Sequence, residues 1–151
     1  MAEKPPLPVV CALIERAGRV LLARRPVHKH LALKWEFPGG KVDGGETPEA
    51  ALHREIKEEL GCTIVLERPL PRFIHIYDHT TIEMIPFVCR LAPGSSKPHP
   101  TEHVAIAWAR PAELDTYDLA AADLPVVQAY RSAAAAGADF RSPGQEGIRS
   151  Q

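Results

Sequence analysis

The chain lacks an excess of charge of either sign. Eighteen Lys and Arg against nineteen Asp and Glu leave a formal net charge of −1. That balance leaves out the broad basic surface that polymeric DNA or RNA requires. A small nucleotide needs only a few local Arg or Lys residues and is not excluded. Long apolar runs are missing as well. No stretch approaches the ~20 residues of a membrane helix, and Met1 to Pro8 is polar and proline-rich rather than signal-like. Only three cysteines occur, Cys11, Cys62 and Cys89, widely spaced among apolar residues. They read as reduced, buried thiols rather than a disulfide framework. His28 and His30 lie two apart without partners at zinc spacing, and read as loop residues. There is no internal repeat. The expectation is a cytoplasmic protein, monomer or homodimer, without membrane or polymeric nucleic-acid partners.

What is present is ordinary globular material: 151 residues, 45% hydrophobic and 25% charged, enough for one domain with a core. The organising stretch is Gly40 to Cys62, GKVDGGETPEAALHREIKEELGC. Thr47 suits an N-cap, Pro48 the first helical position and Glu49 the first turn, while Gly61 is a C-terminal stop. The spacing predicts a helix over residues 48 to 60. Leu52, Ile56 and Leu60 recur every four residues as an apolar stripe. Glu55, Glu58 and Glu59 share another side, and like charges so spaced cost roughly 0.2–0.5 kcal/mol per pair. A divalent, oxygen-loving cation offsets that cost. From the helix alone, a solvated face with Arg54 and Lys57 as neighbours remains open.

The preceding loop, Trp35-Glu36-Phe37-Pro38-Gly39-Gly40-Lys41 followed by Gly44-Gly45-Glu46, is glycine-dense. Glycines let backbone groups approach a ligand closely. The loop is neither a Walker loop nor GxGxxG. Gly40, Glu46, Arg54-Glu55-Ile56, Glu58-Glu59 and Gly61-Cys62 fill every fixed position of the Nudix signature at its spacing. Over roughly residues 7 to 131 the chain resembles the MutT branch of that superfamily. Leu21 to Pro26 and the Trp35–Lys41 loop carry the likeness. So do Glu102-His103 with Ala105 and Trp108, and Tyr117 to Pro125, which is similar to the CTP pyrophosphohydrolase type.

The resemblance implies an α/β fold with a curved mixed sheet sandwiched between helices, as a single domain. It implies Mg²⁺, with Mn²⁺ as a substitute. Glu58, Glu59 and the Gly39 carbonyl would ligate metal, Glu55 would bind a further ion or serve as base, and Arg54 would position the carboxylates. Glu46 would be structural. Glu102 matches a carboxylate outside the signature that reaches the metals. Arg25 and Lys41 match positions that face phosphate. The implied reaction is water attack on a nucleoside triphosphate, giving monophosphate and pyrophosphate, with 8-oxo-dGTP, CTP, dCTP or modified cytosine triphosphates as substrates. Asp123 occupies the base-reading position. Ionised, it accepts hydrogen bonds and suits an exocyclic amine; protonated, it donates and suits an oxidised purine. N-capping of the following helix is its other reading. Phe37 and Tyr77 are candidates to stack on a base, with core packing as the default for aromatics.

Two other classes stand beside this one. One is a Nudix hydrolase for ADP-ribose, NADH or a dinucleoside polyphosphate; Asp78 stands where the ADP-ribose type usually has proline. The other is a non-catalytic nucleotide-binding module, against which the intact carboxylates argue.

Along the chain, residues 1–6 read as a loose arm and residues 7–136 as the domain. A hairpin is expected over residues 8 to 23, and strands over 35–37, 63–67, 72–78, 81–91 and 103–109. A turn is expected at Asp78-His79-Thr80, a helix over 121–136, and a flexible tail over 137–151.

Overall fold

The computed structural model describes residues 4–140, with side chains through 135. The strands are β1 (Leu7–Arg16), β2 (Arg19–Arg24), β3 (Trp35–Glu36), β4 (Gly39–Lys41), β5 (Ile64–Pro69), β6 (Phe73–Ile76), β7 (Thr81–Leu91) and β8 (Ala105–Ala109). The helices are α1 (Pro48–Leu60) and α2 (Leu124–Phe140), with 3-10 turns at Pro111–Thr116 and Ala121–Asp123.

All eight strands join one mixed sheet, whose main path runs β3-β2-β1-β7-β5. β1 and β7 pair in parallel from Leu7↔Ile82 to Glu15↔Arg90, and every other pairing between these strands is antiparallel. β1 changes partner along its other edge. It meets β4 at Val9 to Cys11 and β2 only at Glu15 and Arg16. β2 pairs along its length with β8.

β1 is buried on both faces, which is why it reads as a continuous apolar run. Val10, Ala12 and Ile14 pack with Leu52, Ile56 and Leu60 of α1. Cys11 and Leu13 pack with Val126, Val127 and Tyr130 of α2. Two cores therefore lie on opposite faces of the sheet, one under each helix, and the expected sandwich is observed. Each fully buried Leu or Ile stabilises by roughly 1.5–3 kcal/mol, so the stripe on α1 is enough to fix its docked face.

α1 has the expected bounds. Thr47 is extended and its Oγ1 accepts from the Ala50 amide at 3.1 Å. Gly61, at φ +67°, ends the helix by donating its N–H to Lys57 O at 3.0 Å. Ile106 and Trp108 turn together toward the α1 face, as their alternation suggests, while Val104 precedes β8 and is exposed. The turn at Asp78 to Thr80 closes with Tyr77 N–H donating to Thr80 O at 2.8 Å. Cys11, Cys62 and Cys89 are buried and free.

Two expectations change. The glycine loop is not all loop, because Gly39–Lys41 forms β4 against β1. The absence of side chains hides a strand from periodicity yet admits one sterically. The C-terminal helix starts later and runs further, to Phe140, into the span expected to be tail; residues 141–151 lie outside the described residues. The alanine run at residues 133–136 carries the helix through Gly137, at a cost of about 1 kcal/mol for one glycine. Among the described residues, no helix is long and apolar enough to cross a membrane.

Candidate active site

Arg54 joins the glycine segment to the carboxylate face of α1. Its Nε and Nη2 donate to the two Glu46 oxygens at 2.7 and 2.9 Å, and Nη2 also reaches Lys41 O at 3.1 Å. Nη1 donates to Glu55 at 3.0 Å and to Glu58 at 3.4 Å. The fork–fork pairing with Glu46 is the strong form of such a contact. The Arg54 guanidinium, then the Asp43 amide at 2.9 Å, hold the Glu46 carboxyl down at about 2. Glu46 and Arg54 thus brace β4 against α1.

The three helix carboxylates differ. Glu58 is more than half exposed. Glu55 is largely buried, and burial raises its pKa while Arg54 opposes the shift. Glu59 is pushed up to about 9, first by burial and then by the charges of Glu36 and Glu55. The Gly39 N–H, donating to Glu59 at 3.2 Å, works in the opposite direction.

The two glycines of β4 are needed for different reasons. A Cβ on Gly39 would fall 1.9 Å from Val10 O, which is backbone and cannot yield. A Cβ on Gly40 would fall 2.4 Å from Glu55 Cδ, which is side chain and can swing away. Gly39→Ala is therefore expected to abolish soluble folded protein. Gly40→Ala should fold, with a melting temperature within a few degrees of wild type, yet lose roughly a hundredfold in turnover through displacement of Glu55. Circular dichroism and a turnover assay on both variants check this.

Beside this face lies a cavity of about 390 Å³. It is lined by Gly39, Gly40, Lys41 and Glu59, and also by Arg25, Glu36, Phe37, Tyr77 and Asp123. Asp123 reaches it because the chain before it is stitched to β3. Trp35 N–H donates to Asp118 O at 2.8 Å, and Ala120 N–H to Trp35 O at 2.9 Å. Asp123 is 3% exposed. Burial, then the Glu36 charge, raise its pKa well above the carboxylate range, against a hydrogen bond from the Phe37 backbone and the charge of Arg25. A protonated carboxyl, able to donate, is favoured there.

The other expected residues fall as follows. Phe37 is buried in the core beneath the cavity. The Tyr77 ring stacks on His79 with centroids 5.9 Å apart and meets His30 edge-on at 5.5 Å. Arg25 is committed within the protein, with Nη1 3.0 Å from Glu36 and Nε 2.7 Å from His30 O. Lys41 is exposed at the rim. Glu102 is exposed, 4.0 Å from Lys29 Nζ, and shares with Glu36, Glu59 and His103 a smaller recess of about 40 Å³. Arg54, Glu55, Glu58 and Glu102 stand outside the main cavity.

Sequence reading missed Glu36 and His103 as a pair. His103 Nε2 is 2.9 Å from Glu36 Oε2, and its Nδ1 is buried without a hydrogen-bond partner among the described residues. Glu36 acts electrostatically on both Glu59 and Asp123 and so links the two ends of the chemistry. Its only sequence signal is an acid inside an otherwise apolar Trp-Glu-Phe-Pro segment. His30 and His79, both lining the cavity, had no signal.

The donors suit a hard divalent cation. A partly buried carboxylate facing other carboxylates, with a single weak amide bond, is what such an ion compensates. Among the described residues no three His, Cys, Asp or Glu side chains are yet gathered closely enough to hold one by themselves. Arg54 draws Glu55 and Glu58 toward itself.

The fold and site are those of an α/β protein in which a two-faced sheet sets a braced carboxylate helix beside a cavity. Residues 9–129 match the NUDIX domain family, and the chain belongs to it. Nudix hydrolases generally need a divalent metal. The chain is 37% identical over 128 residues to the CTP pyrophosphohydrolase of Escherichia coli, covering 85% of this chain and 93% of that one. It is 42% identical over 65 residues to the 8-oxo-dGTP diphosphatase of Proteus vulgaris, covering 42% of this chain and 58% of that one. The crystal structure of the MutT NUDIX hydrolase from Burkholderia pseudomallei superposes with a TM-score of 0.66 at 33% identity, covering 83% of this chain and 98% of that one.

Proposed function

We propose that this chain hydrolyses nucleoside triphosphates to nucleoside monophosphate and pyrophosphate, in the cytoplasm, with Mg²⁺ or Mn²⁺, as a monomer or homodimer without membrane or polymeric nucleic-acid partners. One observation carries the reading: the carboxylate Glu59, able to hold a cation that would face phosphate, and the buried acid Asp123 line the same cavity as Lys41, which suits a ligand whose anionic end meets the cation and the lysine and whose other end is hydrogen-bonded.

Glu55, Glu58, Glu59, Glu102 and the Gly39 carbonyl would hold the ion. Bound there, it would neutralise phosphate oxygens and make a ligated water acidic enough to attack near neutral pH. Glu55, whose pKa is raised, accepts the proton of the attacking water. Arg54 keeps Glu55 and Glu58 aligned. Lys41, exposed at the rim, pairs with phosphate. Arg25 acts mainly by holding Glu36. Tyr77 stacks on the base and Phe37 floors the pocket. Asp123, protonated, donates to a base acceptor such as the oxygen of an oxidised purine or the carbonyl of cytosine. The curated relatives' names point the same way, toward CTP and 8-oxo-dGTP.

A panel of normal and oxidised triphosphates, assayed for pyrophosphate release with and without Mg²⁺, tests the reading. The expected result is metal-dependent pyrophosphate release, fastest for CTP, 8-oxo-dGTP or a modified cytosine triphosphate. Orthophosphate release, or activity confined to ADP-ribose or NADH, would overturn it.

A further inference from the structure

Glu102 sits on the long connection between β7 and β8, a segment without regular structure and with a side chain that is largely exposed. A carboxylate so placed would lose much of its value to loop entropy unless the backbone were held. It is held from both sides. Preceding it, the connection is laid across the C-terminal end of α1. Ser95 Oγ accepts from the Thr63 amide at 2.9 Å, and His99 N–H donates to Leu60 O at 3.0 Å. The His99 ring packs over Gly61, where a Cβ would come within 2.5 Å of it. Thr101 makes the last and densest attachment. Its N–H donates to Glu59 O at 3.0 Å, and its Oγ1 lies 2.8 Å from Glu58 O and 3.0 Å from Glu59 O. Following Glu102, His103 bonds Glu36 and Val104 N–H donates to Arg24 O at 3.0 Å.

The carbonyls that Thr101 engages belong to Glu58 and Glu59, two of the three residues whose side chains form the carboxylate face. Orphan carbonyls at a helix end need donors, and a Lys, a Gly or water would serve that purpose alone. Here the donor is the immediate neighbour of Glu102. We propose that Thr101 is a positioning residue: it fixes the Glu102 backbone to the last turn of α1, so that Glu102, Glu58 and Glu59 approach one cation as a preset group. This rests on the assignment of Glu102 to the metal set.

Thr101→Val keeps the shape and the backbone N–H but removes the hydroxyl, and Thr101→Ser keeps the hydroxyl. Four proteins are compared, wild type, Thr101→Val, Thr101→Ser and Glu102→Gln, together with the double variant Thr101→Val/Glu102→Gln. Three readouts are taken: Mn²⁺ binding to the nucleotide-free protein by electron paramagnetic resonance, hydrogen exchange of residues 99–104, and kcat and KM for CTP or 8-oxo-dGTP. Thr101→Val should speed exchange across 99–104, weaken Mn²⁺ binding, and lower kcat roughly ten- to a hundredfold with KM little changed. Thr101→Ser should restore all three. In the Glu102→Gln background the Val substitution should cost nothing further, because both act through one group. Full additivity, or wild-type Mn²⁺ binding in Thr101→Val, overturns the proposal. So does a silent Glu102→Gln, while wild-type pyrophosphate release in the same assay would leave the pyrophosphohydrolase reading standing.

Discussion

Glu59→Gln should lower turnover by at least about a hundredfold and, in the absence of metal, make the protein more stable. The two effects share one cause. Glu59 is a carboxylate that the fold places in a costly position, with burial and the charges of Glu36 and Glu55 lifting its pKa from 4.5 to about 9. A raised acid pKa means that the folded state binds the proton more tightly than the unfolded chain does. Stability from that preference is fully present below about 4.5 and is lost progressively as pH rises toward 9. Metal-free wild type should therefore melt at falling temperatures between pH 5 and pH 9, and Glu59→Gln should flatten that slope. A divalent cation bound to the ionised carboxylate should stabilise the folded state by mass action. The gain in melting temperature on adding Mg²⁺ should accordingly be larger at pH 8.5 than at pH 5.5. Glu58→Gln should lose at least about a hundredfold in turnover too, the scale of removing a main electrostatic contributor, but without the stability gain, since its side chain is more than half exposed. Near-normal turnover in either variant would refute its assignment as a metal ligand, and a pH-independent melting temperature would refute the account of Glu59.

The second large effect is expected at Asp123. With the side chain 3% exposed and its pKa well raised, the donor form is favoured, and the accepting, ionised form is not. Asp123→Ala should cost the preferred triphosphate roughly ten- to a hundredfold in kcat/KM, the scale of a lost hydrogen bond plus a buried partner left unsatisfied. Triphosphates whose bases offer no acceptor at that point should lose much less. Asp123→Asn retains a donor of similar shape and should keep most of the activity on the same substrate, which an obligate ionised acceptor would not allow. The comparison requires relative kcat/KM values for several bases on all three proteins. Equal proportional losses for every base would end the base-reading assignment and leave only the structural, helix-capping reading at the start of α2. In that case Asn would be nearly silent, and Ala would lower stability alone.

Much of this site is readable from residues close together in the chain. Thr47, Pro48 and Gly61 bound α1 through cap chemistry that acts over a few residues. The i, i+3 and i+4 spacing of Glu55, Glu58 and Glu59 puts them on one side. Arg54 and Glu46 are eight apart, and a motif of fixed spacing carries them together. Other relations were hidden because nothing local encodes them. β4 has two glycines and one lysine, so no hydrophobic alternation announces it. The parallel pairing of β1 with β7 joins residues that are far apart, and it is this pairing, with β4 on the other edge of β1, that fixes where the cavity lies. Glu36 and His103 are separated by 67 positions, and nothing at either position marks the other as its partner.

The sequence by itself determined the family signature, the helix that bears the carboxylates, and its apolar face. Those depend on short-range periodicity and capping, which the chain writes directly. Only the tertiary structure decided the protonation and partnership of the key groups. The same glutamate is held down at about 2 at position 46, beside Arg54, and driven up to about 9 at position 59, beneath other carboxylates. Burial and neighbouring charge set these values, and both depend on which distant segments the sheet brings together.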